Sequence, residues 1–231
     1  SLPGLPDSKQ TPRNARRIPA SSSLPAMSKL RILLAILALP VALNAQSTLD
    51  KTELALRTEI VAHHEDQVAY LEKLVNIPSG SLNVEGVREV GRVIMATLDS
   101  LGFQSRWAEV PTEMKRAGHL VATHTGKPGT PRILLIGHLD TVFEGPNQRF
   151  ERVDSMARGA GSNDMKGGDV ILIYALKALQ AAGRLKDLNV TVVMTGDEEY
   201  PGDPLIVARA ALIDAATNCD IALAFEGGSR T

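Results

Sequence analysis

The chain has 231 residues, a formal net charge of −1 and one cysteine, Cys219. A nearly neutral chain offers no electrostatic reason to expect a nucleic-acid partner. A single cysteine excludes an internal disulfide. Because Cys219 lies at the start of an apolar run, we predict an unreactive thiol in the core.

The first 45 residues are predicted to lie outside the folded domain. Residues 1–26 are rich in proline and basic residues. They are interpreted as upstream sequence carried in by an incorrect start site, or as a disordered basic extension. Residues 27–45 have a basic start, a short apolar stretch and a small residue, Ala45, which indicate a secretory signal peptide cleaved after Ala45. An uncleaved anchor is the alternative, although the stretch is short for a membrane span.

The remaining residues, 46–231, are long enough for one sizeable core. Apolar periodicity predicts helices and buried strands in this order: a helix over 49–75, a helix over 84–101, strands over 104–110, 119–124 and 133–136, a helix over 166–182, a strand over 190–194, a helix near 205–216 and a buried strand over 221–225. Strands alternating with helices predict an α/β fold, a three-layer sandwich with a mostly parallel central sheet.

Acidic and imidazole side chains follow three of these strands. They are His138 and Asp140 in RILLIGHLDTV, Glu198 and Glu199 in NVTVVMTGDEE, Glu226 in IALAFEGG, and Asp164 in the intervening turn GAGSNDMKGGD. The carboxyl ends of strands in an open α/β sheet converge on one crevice. An imidazole and several carboxylates that converge there are suitable ligands for hard or borderline divalent metals. The sequence therefore predicts a shared metal site.

The spacing of these residues also suggests which of them bind metal and which act as a base or orient a ligand. Residues two apart in a strand face the same way, so Asp140 can accept the second N–H of His138 and fix its tautomer. Glu198 and Glu199 are adjacent and point in different directions, so that one can bind metal while the other acts as a base. Asp164 has two oxygens and could bridge two metals.

The glycine-rich turn and the remaining histidines have interpretations other than metal binding. The turn GAGSND resembles the start of a dinucleotide-binding motif, but Asp164 replaces its third glycine, and Gly167 follows Lys166 where a phosphate-binding loop has serine or threonine. Nucleotide binding is therefore disfavoured. The other histidines are interpreted as ordinary surface or core residues: His63, His64, His119 and His124.

The motifs GHLDTV, DMKGG, TGDEE and FEGG occur together, in this order, from about residue 49 onwards. In this combination the chain resembles the zinc-dependent exopeptidases and deacylases of metallopeptidase family twenty. That family includes glutamate carboxypeptidase (carboxypeptidase G), aminoacylase, acetylornithine deacetylase and succinyl-diaminopimelate desuccinylase. The segment LEKLVNIPSGS and the FEGG ending look closest to the glutamate carboxypeptidase branch.

The resemblance implies a centre with two zinc ions. His138 and Glu226 would bind one zinc, Glu199 would bind the other, and Asp164 would bridge both. Each zinc would use ligands from separate segments of the chain, so the site would form only in the folded domain.

The resemblance also implies roles beyond metal binding. Glu198 would be the general base, and Asp140 would orient His138 without binding metal. The peptide bond between Asp164 and Met165 would be cis. The segment EEYPGDP departs from the EExGSxG segment common in carboxypeptidase G relatives, which leaves the substrate open.

In the family, a further zinc-binding histidine and a lid and dimerisation domain would follow Thr231. The resemblance therefore implies that this chain is the N-terminal part of a longer catalytic domain, inactive alone. The full-length enzyme is expected to be a homodimer that acts on a small peptide or N-acyl amino acid. We expect it to be secreted or periplasmic, with no nucleic-acid partner and no stable membrane association after cleavage.

The sequence thus predicts a metal-dependent hydrolase that cleaves a peptide or amide bond to a C-terminal amino acid, as glutamate carboxypeptidase does, with water activated by two zinc ions. An N-acyl-amino-acid deacylase is the alternative within enzymes. A non-catalytic metal- or peptide-binding remnant is the alternative from another class.

Overall fold

The computed structural model describes residues 49–227. The predictions made for residues 1–26 and for the signal peptide at 27–45 lie outside this range. No helix within 49–227 is long and apolar enough to cross a membrane.

The first predicted helix is in fact two helices, α1 (Lys51–Ala62) and α2 (His64–Val75). The prediction of one continuous helix over 49–75 is wrong at His63, where the backbone leaves helical geometry (φ −101°, ψ 25°). The His63 Nδ1 atom lies 2.7 Å from Oδ2 of Asp66 in the next helix. Apolar spacing continues across this break, so periodicity alone could not reveal it.

The second predicted helix is confirmed as α3 (Val84–Ser100). The Asn83 side chain accepts a hydrogen bond from the Gly86 N–H at 3.1 Å and satisfies a donor that the helix leaves free at its start. The buried face of α3 carries Val87, Val90, Gly91, Ile94 and Leu98.

Seven strands follow. They are β1 (Gln104–Ala108), β2 (His119–His124), β3 (Arg132–His138), β4 (Glu151–Val153), β5 (Met156–Arg158), β6 (Asn189–Thr195) and β7 (Ile221–Ala224). The strands β4 and β5 form a separate two-stranded sheet, and the other five form the central sheet in the order β1–β2–β6–β3–β7.

The central sheet is mixed, which corrects the prediction of a mostly parallel sheet. The pairs β3–β6 and β3–β7 are parallel, whereas β1–β2 and β2–β6 are antiparallel. Parallel neighbours need a long crossover, usually a helix. The connection from β1 to β2 contains only the short 3₁₀ turn Thr112–Met114, so these two strands pair antiparallel.

Helices occupy the crossovers between the parallel strands. The helix α4 (Gly167–Ala181) precedes β6, and α5 (Leu205–Ala208) and α6 (Ala210–Thr217) lie between β6 and β7. The predicted helix near 205–216 is therefore divided at Arg209. The crossovers from β3 to β6 and from β6 to β7 each return the chain to the end of the sheet where the preceding strand began. The carboxyl ends of β3, β6 and β7 therefore lie side by side.

Apolar side chains form two clusters, one on each face of the central sheet. Successive residues of a strand face opposite sides, and accordingly Leu135 belongs to the larger cluster while Leu134 belongs to the smaller one. The larger cluster includes residues of α2, α3 and α4, and the smaller includes Ala215 of α6. An α/β fold is thus confirmed, and the three-layer sandwich stays a prediction for the complete domain.

The last strand, β7, is exposed along its whole length, so the prediction of a buried strand over 221–225 is wrong. The strand β7 is exposed because it is the edge strand of the sheet, with β3 as a neighbour on one side only. Cys219, just before β7, is partly buried and packs against the smaller cluster.

Candidate metal centre

The carboxyl ends of three adjacent parallel strands deliver the predicted site residues. In the β3–β6 ladder His138 is the register partner of Thr195, so the two strands end together. The turn after β6 carries Glu198 and Glu199, and the segment after β7 carries Glu226. Register between buried strands is set by burial of their apolar faces, and here it brings side chains from distant segments to one edge.

The predicted metal ligands and the predicted base, Glu198, come together in two groups that share His138. Ligand atoms of His138, Asp164 and Glu226 lie within 4.8 Å of one another, and so do those of His138, Glu198 and Glu199. The His138 Nε2 atom is 3.1 Å from Oδ1 of Asp164 and 3.8 Å from Oε2 of Glu226. One imidazole and four carboxylates therefore surround a common space, as the strand-end pattern predicts, while the role of each residue stays a prediction.

Asp140 is fully buried and holds the two halves of the site together. Its carboxylate accepts hydrogen bonds from the hydroxyl of Ser81 (2.6 Å) and from the main-chain N–H groups of Glu198 (2.9 Å) and Glu199 (3.1 Å). Burial raises the pKa of Asp140, but the bonds to His138 and Ser81 outweigh it and lower the pKa below its usual value. The carboxylate therefore stays charged and orders the turn after β6.

The contact between His138 and Asp140 differs in detail from the expected one. The His138 Nδ1 atom lies 3.0 Å from the main-chain oxygen of Asp140 and 3.5 Å from its Oδ1. The main-chain oxygen is thus the nearer acceptor. With Nδ1–H directed to Asp140, the Nε2 atom faces Asp164 and can act as a ligand.

The electrostatics of the cluster favour a bound cation. Burial lowers the pKa of His138, yet the hydrogen bond and charge of Asp140 outweigh it and raise the pKa to about 10. Burial, with the charge of Asp164, raises the pKa of Glu199, and burial also raises that of Glu226. Carboxylates that repel one another are stabilised by a shared positive ion, and a metal would replace the imidazole proton. The donor set present thus fits a divalent metal.

Asp164 is placed by an irregular turn before α4. The preceding Gly161 has a positive φ of 70°, and a Cβ there would also overlap the side chain of Thr141. A residue with a side chain is disfavoured in this position on both grounds. The peptide bond between Asp164 and Met165 is cis, as the resemblance implies.

A buried network behind Glu198 and Glu199 was missed by sequence reasoning. The Asp197 carboxylate pairs with the guanidinium of Arg209 and accepts the Gly202 N–H at 2.8 Å. The His119 Nδ1 atom accepts the Gly196 N–H at 3.2 Å. These contacts hold the turn after β6 in addition to those of Asp140. The only sequence signal was an acidic residue directly before the predicted pair, and nothing local identified its partners.

Two buried ionisable side chains, Lys166 and Asp169, were also missed. The Lys166 ammonium donates to the main-chain oxygens of Leu74 (2.9 Å) and Ile77 (3.0 Å), and burial lowers its pKa to about 8. The Lys166 ammonium therefore caps the C-terminal end of α2 and does not face a phosphate site. Burial raises the pKa of Asp169 to about 8, and neither of its oxygens has a hydrogen-bond partner among residues 49–227.

Comparison with known proteins identifies relatives over this part of the chain. Residues 134–228 match the family model described as Peptidase family M20/M25/M40. The chain is 34% identical over 154 residues to carboxypeptidase G2 from Pseudomonas sp. (strain RS-16), which covers 62% of this chain and 36% of that protein. It is 30% identical over 116 residues to succinyl-diaminopimelate desuccinylase from Leptothrix cholodnii, with coverage of 47% and 30%. The chain thus spans about a third of the length of these relatives.

Solved structures show the same fold. Human carnosine dipeptidase 1 superposes with a TM-score of 0.59 at 21% identity, over 75% of this chain and 40% of that one. The M20 family metallo-carboxypeptidase Sso-CP2 from Sulfolobus solfataricus has a TM-score of 0.56 at 20% identity, over 71% and 38%. The motifs at the ends of β3, β6 and β7 all lie within the residues that match the model of peptidase family M20/M25/M40, which confirms the resemblance to that family.

Proposed function

We propose that this protein is a metal-dependent hydrolase that cleaves a peptide or amide bond to a C-terminal amino acid, using two zinc ions. The observation that supports this most directly is the convergence of His138, Asp164, Glu226, Glu198 and Glu199 at one edge of the sheet. The match to the M20/M25/M40 family model and the similarity to carboxypeptidase G2 agree with this chemistry.

Each ligand has a place in this proposal. His138 and Glu226 would hold one zinc, Glu199 would hold the other, and Asp164 would be a ligand shared by both. When bound, zinc polarises the scissile carbonyl and lowers the pKa of water. Asp140 keeps Nδ1–H of His138 occupied and holds the main chain of Glu198 and Glu199 in position, so the ligands are ordered before a substrate arrives.

Glu198 is the general base of the proposed reaction. Its main-chain N–H is held by Asp140, while its side chain is exposed beside the ligand cluster. The carboxylate takes one proton from the attacking water and passes it to the nitrogen of the leaving amine, as the bond between the carbonyl carbon and that nitrogen breaks. The products are a carboxylic acid and a free amine.

A second candidate activity is N-acyl-amino-acid deacylation. The desuccinylases among the relatives are named for removing a succinyl group. The proposed chemistry is the same, since both activities hydrolyse an amide bond to an amino acid. The carboxypeptidase and the deacylase differ in which part of the substrate the enzyme recognises.

The test uses protein expressed from its complete reading frame and loaded with zinc. Dipeptides with a C-terminal amino acid and N-acyl amino acids are offered separately, and release of the amine is measured with zinc and after chelation. We expect hydrolysis that disappears on chelation and returns with zinc. Zinc bound in stoichiometric amounts without hydrolysis of either series would support a non-catalytic metal- or peptide-binding protein instead.

The proposal includes a secreted or periplasmic homodimer. If residues 27–45 are a signal peptide, the mature protein begins at or near Gln46, because Ala45 is the small residue required before the cut. N-terminal sequencing of protein recovered from the cell envelope or medium tests this. A soluble protein that retains Met27 would contradict it, and chromatography with light scattering tests the dimer.

A further inference from the structure

Exposed apolar side chains surround a cavity next to the candidate metal centre. The cavity has a volume of about 260 Å³, and Leu82, Val142 and Tyr200 line it together with Glu144 and Glu199. These three apolar or aromatic residues are 55%, 62% and 59% exposed. Since Glu199 belongs to both the cavity and the ligand cluster, a substrate held at the metal would extend into this space. Apolar groups that cluster beside a polar site commonly mark a binding surface.

The wall that carries Leu82 and Val142 is held by the main chain. The Thr141 N–H donates to the Ser79 oxygen at 2.9 Å, and the Ser81 N–H donates to the Thr141 oxygen at 3.3 Å. The Leu82 N–H donates to Oε1 of Glu144 at 3.0 Å. These bonds fix the two loops against each other. The exposed positions of Leu82 and Val142 are therefore built into the structure and do not arise from a loose loop.

The opposite wall is Tyr200, and it is held equally well. The guanidinium of Arg116 lies 4.4 Å from the centre of the Tyr200 ring. The Nε–H of Arg116 donates a hydrogen bond to the main-chain oxygen of Tyr200 at 2.6 Å. A cation stacked on an aromatic ring restrains the ring's orientation. An exposed tyrosine so restrained presents a fixed surface, and little conformational entropy is lost when a ligand binds against it.

The charges in the cavity are all negative. Glu144 and Glu199 provide carboxylates, and no lysine or arginine from residues 49–227 lines the space. Bound zinc would offset the charge of Glu199, but the Glu144 carboxylate lies beside the apolar walls with no cation in the part of the lining that the structure describes. It disfavours an anionic group, both by like-charge repulsion and by the cost of removing that group from water.

We propose that this cavity is the subsite for an uncharged, apolar side chain or acyl group next to the scissile amide. The inference rests on the proposed hydrolase function and names the substrate class within it. It predicts a preference for leucine- or phenylalanine-like groups over glutamate- or succinate-like groups. One additional methylene in an apolar pocket changes kcat/KM by roughly 10–200-fold, so a preference of this kind is measurable.

The test is a change of charge in the wall, Val142→Lys, made in the zinc-loaded, full-length protein. The matched control is Val61→Lys on α1, because Val61 is 66% exposed and lies outside both the cavity and the ligand cluster. Hydrolysis is measured for two substrate series, one varying the acyl group from hexanoyl to succinyl and one varying the amino acid from leucine to glutamate. Binding of leucine hydroxamate and glutamate hydroxamate is measured by calorimetry on the same samples.

In the unmodified protein we expect the apolar member of at least one series to be preferred. Val142→Lys should reduce that preference about 10-fold or more by adding a cation to the wall, and Val61→Lys should leave it unchanged. A preference that survives Val142→Lys with zinc content intact would overturn the subsite. A lower free energy of unfolding in Val142→Lys with no change in substrate preference would also overturn the subsite. That result would mean that another protein segment covers the cavity residues.

The calorimetric measurement separates this inference from the proposed function. If no substrate is hydrolysed but leucine hydroxamate binds more tightly than glutamate hydroxamate, and Val142→Lys removes the difference, the hydrolase proposal fails and the subsite stands. If substrates are hydrolysed with no apolar preference in either series, the hydrolase proposal stands and the subsite is wrong.

Discussion

At the scale of single residues, the site depends on one buried carboxylate that contacts several of the proposed metal-site residues. Asp140 contacts Ser81, His138 and the main chain of Glu198 and Glu199, and so joins three segments of the chain. A buried carboxylate is stable only when its oxygens are satisfied. The ligands on either side of it are consequently ordered by the same group.

The adjacent glutamates should separate into a base and a ligand. Glu198→Ala should leave zinc content unchanged and reduce turnover roughly 10²–10⁴-fold, because the proton acceptor is lost. Glu199→Ala should lose zinc, because the second ion loses a ligand. Metal analysis and turnover on the same preparations measure both effects. Equal loss of zinc in the two variants would show that the roles are wrongly divided.

His119 should make stability depend on pH. Its Nδ1 atom accepts a hydrogen bond from Gly196, and its Nε2 atom lies 2.6 Å from the oxygen of Ala208, an arrangement that requires the neutral Nε2–H tautomer. Burial lowers the pKa of His119 in the folded state. As the pH falls through about 6.5 the unfolded chain takes up a proton that the folded chain does not, at up to about 1.4 kcal/mol per pH unit.

The free energy of unfolding contributed by His119 is therefore fully present above pH 6.5 and decreases below it. Urea unfolding between pH 8 and pH 5.5 measures this, and His119→Gln should flatten the decrease. His124→Gln on the same strand is the control and should keep the slope of the unmodified protein. An unchanged slope in His119→Gln would rule out His119 as its source.

At the scale of elements, the site depends on a close approach between α4 and the end of β7. A Cβ on Gly168 would overlap the main-chain oxygen of Phe225, the residue before Glu226. Only glycine permits the helix to lie this close to the strand end. The position of Glu226 beside His138 follows from this contact.

Gly168→Ala should displace Glu226 and lower zinc affinity roughly 10–100-fold, a typical effect of disturbing groups that support a metal ligand. Ala175→Gly in the same helix is the control, because it destabilises α4 by about 0.5–1 kcal/mol without touching β7. Competition with a zinc chelator measures affinity in both. Similar losses in the two variants would mean that general helix stability, and not the contact with Phe225, holds the ligand.

At the scale of the whole molecule, metal binding and folding should be coupled. The ligands come from the ends of β3, β6 and β7 and from the turn before α4, so they meet only in the folded protein. An ion that binds the folded state alone shifts the folding equilibrium by mass action.

Free zinc at 100 times its dissociation constant should raise the free energy of unfolding by about 2.7 kcal/mol for one site. Urea unfolding with zinc and with chelator measures the difference. His138→Ala should reduce this gain, because the ion proposed to bind His138 and Glu226 loses its imidazole ligand. An equal effect of zinc on this variant would place the bound ion elsewhere.

Most helices and all five strands of the central sheet could be predicted from the sequence, as could the candidate site residues. Apolar runs located β3 and β6, and charged residues directly after those runs were sufficient to name His138, Asp140, Glu198 and Glu199. These signals are local, because strand periodicity and strand ends are visible within about ten residues.

Features that arise from contacts between residues distant in sequence could be seen only in the tertiary structure. Strand direction in the central sheet, the exposure of β7 and the pairing of Asp197 with Arg209 all require knowing which segments are neighbours. The cavity beside Glu199 belongs to the same class, since its walls come from three separate loops. Periodicity reports which face of a segment is buried, but not which segment buries it, and for that reason only the folded chain reveals these features.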